Sequence, residues 1–170
     1  CYATVIALAA APVLSVVDST DIVVVAASGT TGAGRSEKRS LLGSEVMGSL
    51  TSYKFGGTHQ HTPEIEESLS RAAHSPVKIS FTPILAPMPR GILATITARL
   101  NSTVSESELR VLFEYQYESE EFLSLLPVVK MPRTAAVHGS NRLQLQDADD
   151  AHAHRVVYSA TIANRGKGSS

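Results

Sequence analysis

The stretch CYATVIALAAAP, residues 1–12, opens the chain and carries its only cysteine, Cys1. Its apolar residues run nearly all the way round, which predicts a buried helix from Tyr2 to about Val17. Cys1 would then lie at the N-terminus of this helix, where the macrodipole and the free N–H groups favour a thiolate. We expect a chain that begins at this point to be part of a longer protein.

The composition indicates a single domain over residues 1–170 with balanced charge. There are 15 Lys and Arg residues against 16 Asp and Glu residues, a formal net charge of −1, so no basic field attracts nucleic acid or acidic lipid. A lone cysteine cannot form an internal disulfide, which is typical of a cytoplasmic protein. Because no apolar run approaches the roughly 18 residues of a membrane span, we expect no membrane insertion.

A continuous β-branched run, Ile22 to Ala27, predicts a central strand covered on both faces. The strand leads into the loop from Ser28 to Arg35, which contains Gly29 and Gly32. Glycines allow the backbone to approach a ligand that side chains would block. The loop is either a ligand-binding segment or an ordinary turn after a strand.

The remaining periodicity predicts an α+β fold, with a mixed, largely antiparallel sheet and helices on one face. One helix is predicted from Thr62 as N-cap to about Ala73, and a capping box at Ser105–Glu108 opens a second helix that ends near Ser119. Strands are predicted at Ser52–Phe55, Val77–Thr82, Ile92–Leu100, Thr134–Val137, Leu143–Gln146 and His154–Thr161.

Two histidines, His59 and His61, offer Cys1 a partner for covalent catalysis by a thiol. One imidazole could be the general acid or base, oriented by Glu64 or by the other histidine. The spacing does not say which histidine contacts the sulfur. The alternatives are two solvent-exposed loop histidines and, for Cys1, an inert buried thiol.

A metal site is disfavoured. His59 and His61 share one face of an extended segment, but Thr62-Pro63-Glu64 commits this segment to a helix start. The acidic run that ends in His152 and His154 reads as a hairpin or loop. We therefore predict no metal.

Several linked motifs resemble N-acetyl-gamma-glutamyl-phosphate reductase, an NADPH-dependent enzyme of arginine biosynthesis. They are Cys1-Tyr2-Ala3-Thr4 with Pro12, Ser28 to Arg35, His59 to Ile65, Phe81-Thr82-Pro83 and Pro89 to Thr95, followed by Pro132-Arg133-Thr134, Gly139-Ser140-Asn141 and Asn164 with Lys167-Gly168. Order and spacing match from end to end. Together these motifs are far more specific than any one of them.

The resemblance implies roles for particular residues. Cys1 matches the cysteine that attacks the acyl phosphate, and His59 matches the acid/base, with His61 and Glu64 around it. The resemblance places Ser28, Gly29, Gly32 and Arg35 beside the nicotinamide and the substrate. It also implies that Arg90 pairs with a carboxylate or phosphate, and that Asn164 fixes the nicotinamide carboxamide.

The resemblance further implies a fold like the second domain of glyceraldehyde-3-phosphate dehydrogenase and a homo-oligomeric parent enzyme. NADPH would be held mainly by a Rossmann domain upstream of Cys1, because these 170 residues contain no Gly-x-x-Gly-x-x-Gly fingerprint after a strand. The substrate would be a small acyl phosphate. Two alternatives remain: a non-catalytic binding or interaction module, and a related acyl-phosphate reductase of lysine or aspartate metabolism.

Overall fold

The computed structural model describes residues 1–33 and 38–163, which form one seven-stranded sheet with helices packed against it. The α-helices are α1 (Tyr2–Ala10), α2 (Gly43–Val46), α3 (Thr62–Ala73) and α4 (Glu106–Tyr117). The strands are β1 (Val17–Ser28), β2 (Thr51–Ser52), β3 (Ile79–Leu85), β4 (Ile92–Leu100), β5 (Leu123–Leu125), β6 (Leu143–Asp150) and β7 (Arg155–Ile162).

The sheet order is β2-β3-β1-β4-β7-β6-β5. The β1–β3 and β5–β6 pairs are parallel, and the other pairs are antiparallel. This arrangement confirms the predicted α+β class and its largely antiparallel sheet. Among the residues that the structure describes, no helix has the length and apolar character needed to cross a membrane.

The helices cover one face of the sheet. In β4, the side chains of Ile92, Ala94, Ile96, Ala98 and Leu100 are buried under α1 and its neighbours, whereas Thr95 and Arg99 on the other face are exposed. This strict alternation is that of a strand with one covered face. The opposite face of the sheet carries no helix from the described residues.

Helix α1 is shorter than predicted. It ends at Ala10, a 3₁₀ turn follows over Ala11–Val13, and Val17 already belongs to β1. Pro12 explains the difference, because a proline has no N–H to continue the helical ladder. The apolar run beyond it is buried as the start of a strand instead of as a helix.

The sequence predicted a strand that stops before Pro83, but the strand continues through this proline. β3 starts at Ile79 and continues through Pro83 to Leu85. The Pro83 carbonyl accepts a hydrogen bond from the Tyr53 backbone N–H (3.2 Å), so the proline nitrogen faces the β2 side, where the paired strand has only two residues. The missing N–H therefore leaves the pairing with β1 intact.

The predicted strand at Thr134–Val137 is wrong, because these residues form a 3₁₀ turn. The sequence did not predict β5, which lies at one edge of the sheet and pairs in parallel with β6. The N-cap of α3 is His61 and not Thr62, one residue earlier than predicted. By contrast, the bounds of β4 and the capping box of α4 are confirmed.

Candidate active site

Cys1 is the N-cap residue of α1, the position that the sequence predicted for it. The residue is partly exposed and lines a cavity of about 500 Å³. The cavity wall comes from one side of α1, the end of α4, the residues before β6 and the end of β7, including Thr4, Leu8, Gln116, Glu120, Asn141, Arg142 and Ala163. A small ligand in this cavity would therefore reach the helix N-terminus.

His59 is buried, with 6% of its surface exposed, and it packs against the residue next to Cys1. Its ring lies edge-on to Tyr2, Tyr53 and Phe81, at centroid distances of 5.5, 5.9 and 5.1 Å. The Tyr2 and Tyr53 hydroxyls are 3.0 Å apart. This aromatic box holds one imidazole against the start of α1, so His59 is not a solvent-exposed loop residue.

The hydrogen bonding of His59 defines its tautomer. Its Nδ1 accepts a hydrogen bond from the His61 backbone N–H (3.2 Å). Burial lowers the pKa of His59, and the nearby positive charges of His61 and Lys54 lower this pKa further. The ring is therefore neutral near pH 7, with its proton on Nε2, where it is a hydrogen-bond donor.

His61 and Glu64 form the outer part of this group. The His61 Nδ1 lies 2.7 Å from Glu64 Oε2, on the first turn of α3. His59 thus lies against His61, His61 against Glu64, and the His59 ring against Tyr2, the residue that follows Cys1. The cavity that Cys1 lines does not include His59, His61 or Glu64 among its lining residues.

The glycine-containing loop packs on the loop that carries Arg90. The Gly29 N–H donates to the Gly91 carbonyl (2.9 Å), and the Thr30 and Thr31 N–H groups donate to the Met88 and Pro89 carbonyls. A Cβ on Gly29 would lie only 2.7 Å from the backbone nitrogen of Arg90. Glycine is therefore required here for close approach of two backbones, not for an unusual dihedral angle.

Replacing Gly29 with Ala is expected to destabilise the fold by about 1–3 kcal/mol, because the new methyl group meets fixed backbone atoms. Gly43→Ala is the matched control, since a Cβ at Gly43 has nothing within 4 Å and the residue opens α2. We expect the control to change the free energy of unfolding by less than about 0.5 kcal/mol. Urea denaturation measures the free energy of unfolding of both variants. Equal losses of stability in Gly29→Ala and Gly43→Ala would contradict the assigned role of Gly29.

The other predicted residues of this loop lie in different surroundings. Ser28 is buried, and its hydroxyl donates to the Gly29 carbonyl (3.2 Å). Gly32 is exposed, and its N–H donates to the same carbonyl (3.3 Å). Arg90 is exposed and lines a second cavity, separate from that of Cys1. Arg35 and Asn164 lie outside the described residues.

Sequence reasoning missed several residues of this region. Tyr2 and Tyr53 surround His59, and Arg142 and Glu120 line the Cys1 cavity. Only Tyr2 had a local signal, its position next to the cysteine. Within residues 1–33 and 38–163, no group of three or more His, Cys, Asp or Glu side chains is arranged to hold a metal ion.

A known protein family matches almost the whole chain. The family described as "Semialdehyde dehydrogenase, dimerisation domain" matches residues 1–164. The chain belongs to this family. The resemblance noted in the sequence is confirmed by relatives that carry the name N-acetyl-gamma-glutamyl-phosphate reductase.

The relative from Acidothermus cellulolyticus is 56% identical over 170 residues, which cover 99% of the chain and 50% of that protein. The relative from Micrococcus luteus is 51% identical over 170 residues, which cover 99% of the chain and 49% of that protein. The chain thus spans about half the length of the curated relatives it matches.

Solved structures of aspartate semialdehyde dehydrogenases share the fold. Aspartate semialdehyde dehydrogenase II from Vibrio cholerae matches with a TM-score of 0.70 at 11% identity, covering 92% of the chain and 53% of that protein. The enzyme from Francisella tularensis gives a TM-score of 0.71 at 11% identity, and the match covers 95% of the chain and 58% of that protein. At this identity the likeness concerns architecture alone, and it confirms the predicted fold, that of the catalytic domain of glyceraldehyde-3-phosphate dehydrogenase-like enzymes.

Proposed function

We propose that the chain is the catalytic and dimerisation domain of an NADPH-dependent reductase of arginine biosynthesis in the cytoplasm. The reaction converts N-acetyl-glutamyl 5-phosphate to N-acetyl-glutamate 5-semialdehyde through a thioester on Cys1. The observation that carries the proposal is the position of Cys1, at the N-terminus of a buried helix and beside a cluster built around buried His59. The names of the relatives support this choice of substrate.

The first chemical step belongs to Cys1. The N-terminal N–H groups of α1 favour the thiolate, which attacks the carbonyl carbon of the acyl phosphate. A bond forms between the sulfur and the carbonyl carbon. The bond between this carbon and the bridging oxygen breaks, and inorganic phosphate leaves with the electron pair. The product on the chain is a thioester of Cys1.

His59 acts as a hydrogen-bond donor in this step. Because its Nδ1 is occupied by the His61 N–H, the neutral ring presents Nε2–H as a donor. This proton can stabilise negative charge that develops on the substrate oxygen or the sulfur. The His61–Glu64 contact keeps the His61 backbone in place, so these two residues position His59.

For the other predicted site residues, we propose the roles that the family resemblance implies. Ser28, Gly29, Gly32 and Arg35 form the loop beside the substrate and the nicotinamide. Asn164, the residue after Ala163 in the sequence, contacts the carboxamide of the nicotinamide. Arg90 binds an anionic group of the substrate.

NADPH, when bound, supplies the hydride that reduces the thioester. The Cys1 cavity of about 500 Å³ suits the reacting ends of substrate and cofactor, and the sequence has no dinucleotide-binding glycine fingerprint. We assign the rest of NADPH to a Rossmann domain of the full-length protein. The relatives, about twice as long, leave room for one.

The experiment that tests this proposal separates acyl transfer from reduction. The 170-residue chain is incubated with acetyl phosphate, and intact mass spectrometry measures acetyl groups on Cys1. We expect a hydroxylamine-sensitive thioester to form without NADPH, and no NADPH oxidation. Failure of Cys1 to acylate under conditions where the chain is folded would contradict the proposal.

The homo-oligomer is also a proposal, and the uncovered face of the sheet supports it. Val25 on the central strand β1 is 40% exposed, and Val23, Leu93 and Val157 on the same face are only half-buried. A second copy placed on this face would bury these apolar side chains. The family description, a dimerisation domain, agrees with this surface.

Val25→Lys is expected to weaken self-association about 100-fold, since a two-fold interface would bury two unpaired charges. Val111→Lys is the control, because Val111 is 59% exposed on α4, on the helix side of the sheet. Sedimentation velocity over a concentration series measures the self-association of both variants. The proposed interface is wrong if Val25→Lys associates like the unsubstituted chain.

A further inference from the structure

An apolar turn that follows β5 is exposed to solvent. It runs from Pro127 to Lys130, whose N–H donates to the Pro127 carbonyl (2.8 Å), and its tip is Val128-Val129. The two valines are 62% and 88% exposed, and Met131, directly after the turn, is 66% exposed. Glycine, asparagine and aspartate are the usual residues at the tip of a turn. Three neighbouring apolar side chains in this position indicate a surface that another protein covers.

A buried polar network fixes this turn to the sheet. The Gln146 Nε2 donates to the Pro127 carbonyl (2.6 Å) and to the Lys130 carbonyl (3.0 Å). The guanidinium of Arg110, on α4, donates to Gln146 Oε1 (3.0 Å) and to the Asp147 carboxylate (2.9 Å). Gln146 and Asp147 are both buried. Because a satisfied buried network favours one arrangement, the two valines are held in a fixed position.

The same network places the turn at the margin of the uncovered sheet face. Gln146 pairs with Ser159 of β7, which pairs with Thr95 of β4. Thr95 pairs in turn with Val25 of β1. Directly opposite partners in neighbouring strands carry their side chains on the same face. The turn that covers Gln146 therefore borders the face that we assign to the homo-oligomer.

A second contact extends this arrangement along β6. The Arg133 backbone N–H donates to Gln144 Oε1 (3.3 Å). Gln144 lies two residues before Gln146 in the same strand, so both side chains lie on the uncovered face. Pro132, between the turn and Arg133, is buried. The segment over residues 127–133 thus follows the β6 side of this face.

We infer that the turn and Met131, residues 127–131, are part of the contact surface for a second copy of the chain. The inference rests on the proposed homo-oligomer and extends its surface beyond the flat strands. A second copy on the uncovered face would meet the turn at the β6 margin and bury its apolar side chains. Because the network orders the turn before association, little conformational entropy is lost on binding. The family description, a dimerisation domain, agrees with this partner.

The test measures self-association of the 170-residue chain by sedimentation velocity over a concentration series. Val129→Lys is expected to weaken association about tenfold or more, because the partner would bury an unpaired ammonium group. Val111→Lys is the matched control, the same substitution at an exposed valine on α4. We expect the control to associate like the unsubstituted chain. Both side chains are exposed, so the melting temperatures should agree within a few degrees.

Alkylation of an introduced thiol tests the same contact without adding a charge. Cys1 is the only cysteine in the sequence, so Val129→Cys in a Cys1→Ser background has a single thiol. We expect iodoacetamide to modify this thiol severalfold more slowly at concentrations where the chain associates, because the partner covers it. Val111→Cys in the same background is the control, and its rate should not depend on protein concentration. The same independence in Val129→Cys would overturn the inference.

The Val25→Lys variant keeps this result separate from the proposed function. If Val25→Lys weakens association and Val129→Lys does not, the inference is overturned and the proposed sheet interface stands. If Val129→Lys alone weakens association, the turn is a contact surface and the proposed interface around Val25 is wrong. The inference is also overturned if the chain is monomeric at every concentration, or if Val111→Lys weakens association as much as Val129→Lys does.

Discussion

Replacing Cys1 with Ser is expected to reduce acylation by acetyl phosphate below detection, the largest effect that the structure predicts. The helix N-terminus can favour a thiolate, whose ordinary pKa is about 8.5, but it cannot ionise a serine hydroxyl near neutral pH. Cys1 is partly buried against the hydrophobic core, and serine is close to cysteine in size. Intact mass spectrometry after a fixed incubation measures the acyl group directly.

The control for this prediction is the stability of the folded Cys1→Ser variant. The melting temperatures of Cys1→Ser and the unsubstituted chain should agree within a few degrees, since the substitution is nearly isosteric. Peptide mapping locates any remaining acyl group. If Cys1→Ser were acylated as fast as the unsubstituted chain, another residue would be the nucleophile and the assignment of Cys1 would be wrong.

Replacing His59 with Asn is expected to slow acylation by about 10²–10³-fold, the usual contribution of one hydrogen-bond donor to a developing oxyanion. The substitution removes the imidazole ring and with it the Nε2–H donor, since Nδ1 accepts from the His61 N–H. It also removes an aromatic ring from the box of Tyr2, Tyr53 and Phe81, so some loss of stability is expected. The rate is therefore measured well below the melting temperature of the variant.

His74→Asn is the matched control for this prediction. His74 is an exposed histidine at the C-terminal end of α3, with φ of +54°, a conformation that Asn tolerates. We expect His74→Asn to acylate at the unsubstituted rate. Equal rates in His59→Asn and the unsubstituted chain would remove His59 from the chemistry and leave it a structural role.

Local signals in the sequence were sufficient for the elements nearest the proposed nucleophile. The helix start at Cys1 and the alternation from Ile92 to Leu100 can each be read from neighbouring residues. The capping box is equally local: the Glu108 N–H donates to Ser105 Oγ, and the Ser105 N–H donates to Glu108 Oε2. Such features depend on residues three or four positions apart.

The features that sequence reasoning missed depend on distant partners. The box around His59 joins Tyr2, Tyr53 and Phe81 from three separate segments, so burial of this imidazole had no local signal. β5 exists because it pairs with β6, some twenty residues later in the chain. Arg90 and His138 line one cavity, and Thr134 can pack closely on Gly91 because glycine has no Cβ. Tertiary packing decided each of these features.

The most direct test of the central claim is the pKa of the Cys1 thiol, measured from the rate of alkylation across pH. A short extension before Cys1 replaces the α-amino group of the 170-residue chain with an amide, so that no terminal charge acts on the sulfur. We predict a thiol pKa below about 7.5, as expected for an activated thiolate at a helix N-terminus. A value near 8.5, that of an ordinary cysteine, would contradict the assignment of Cys1 as the nucleophile.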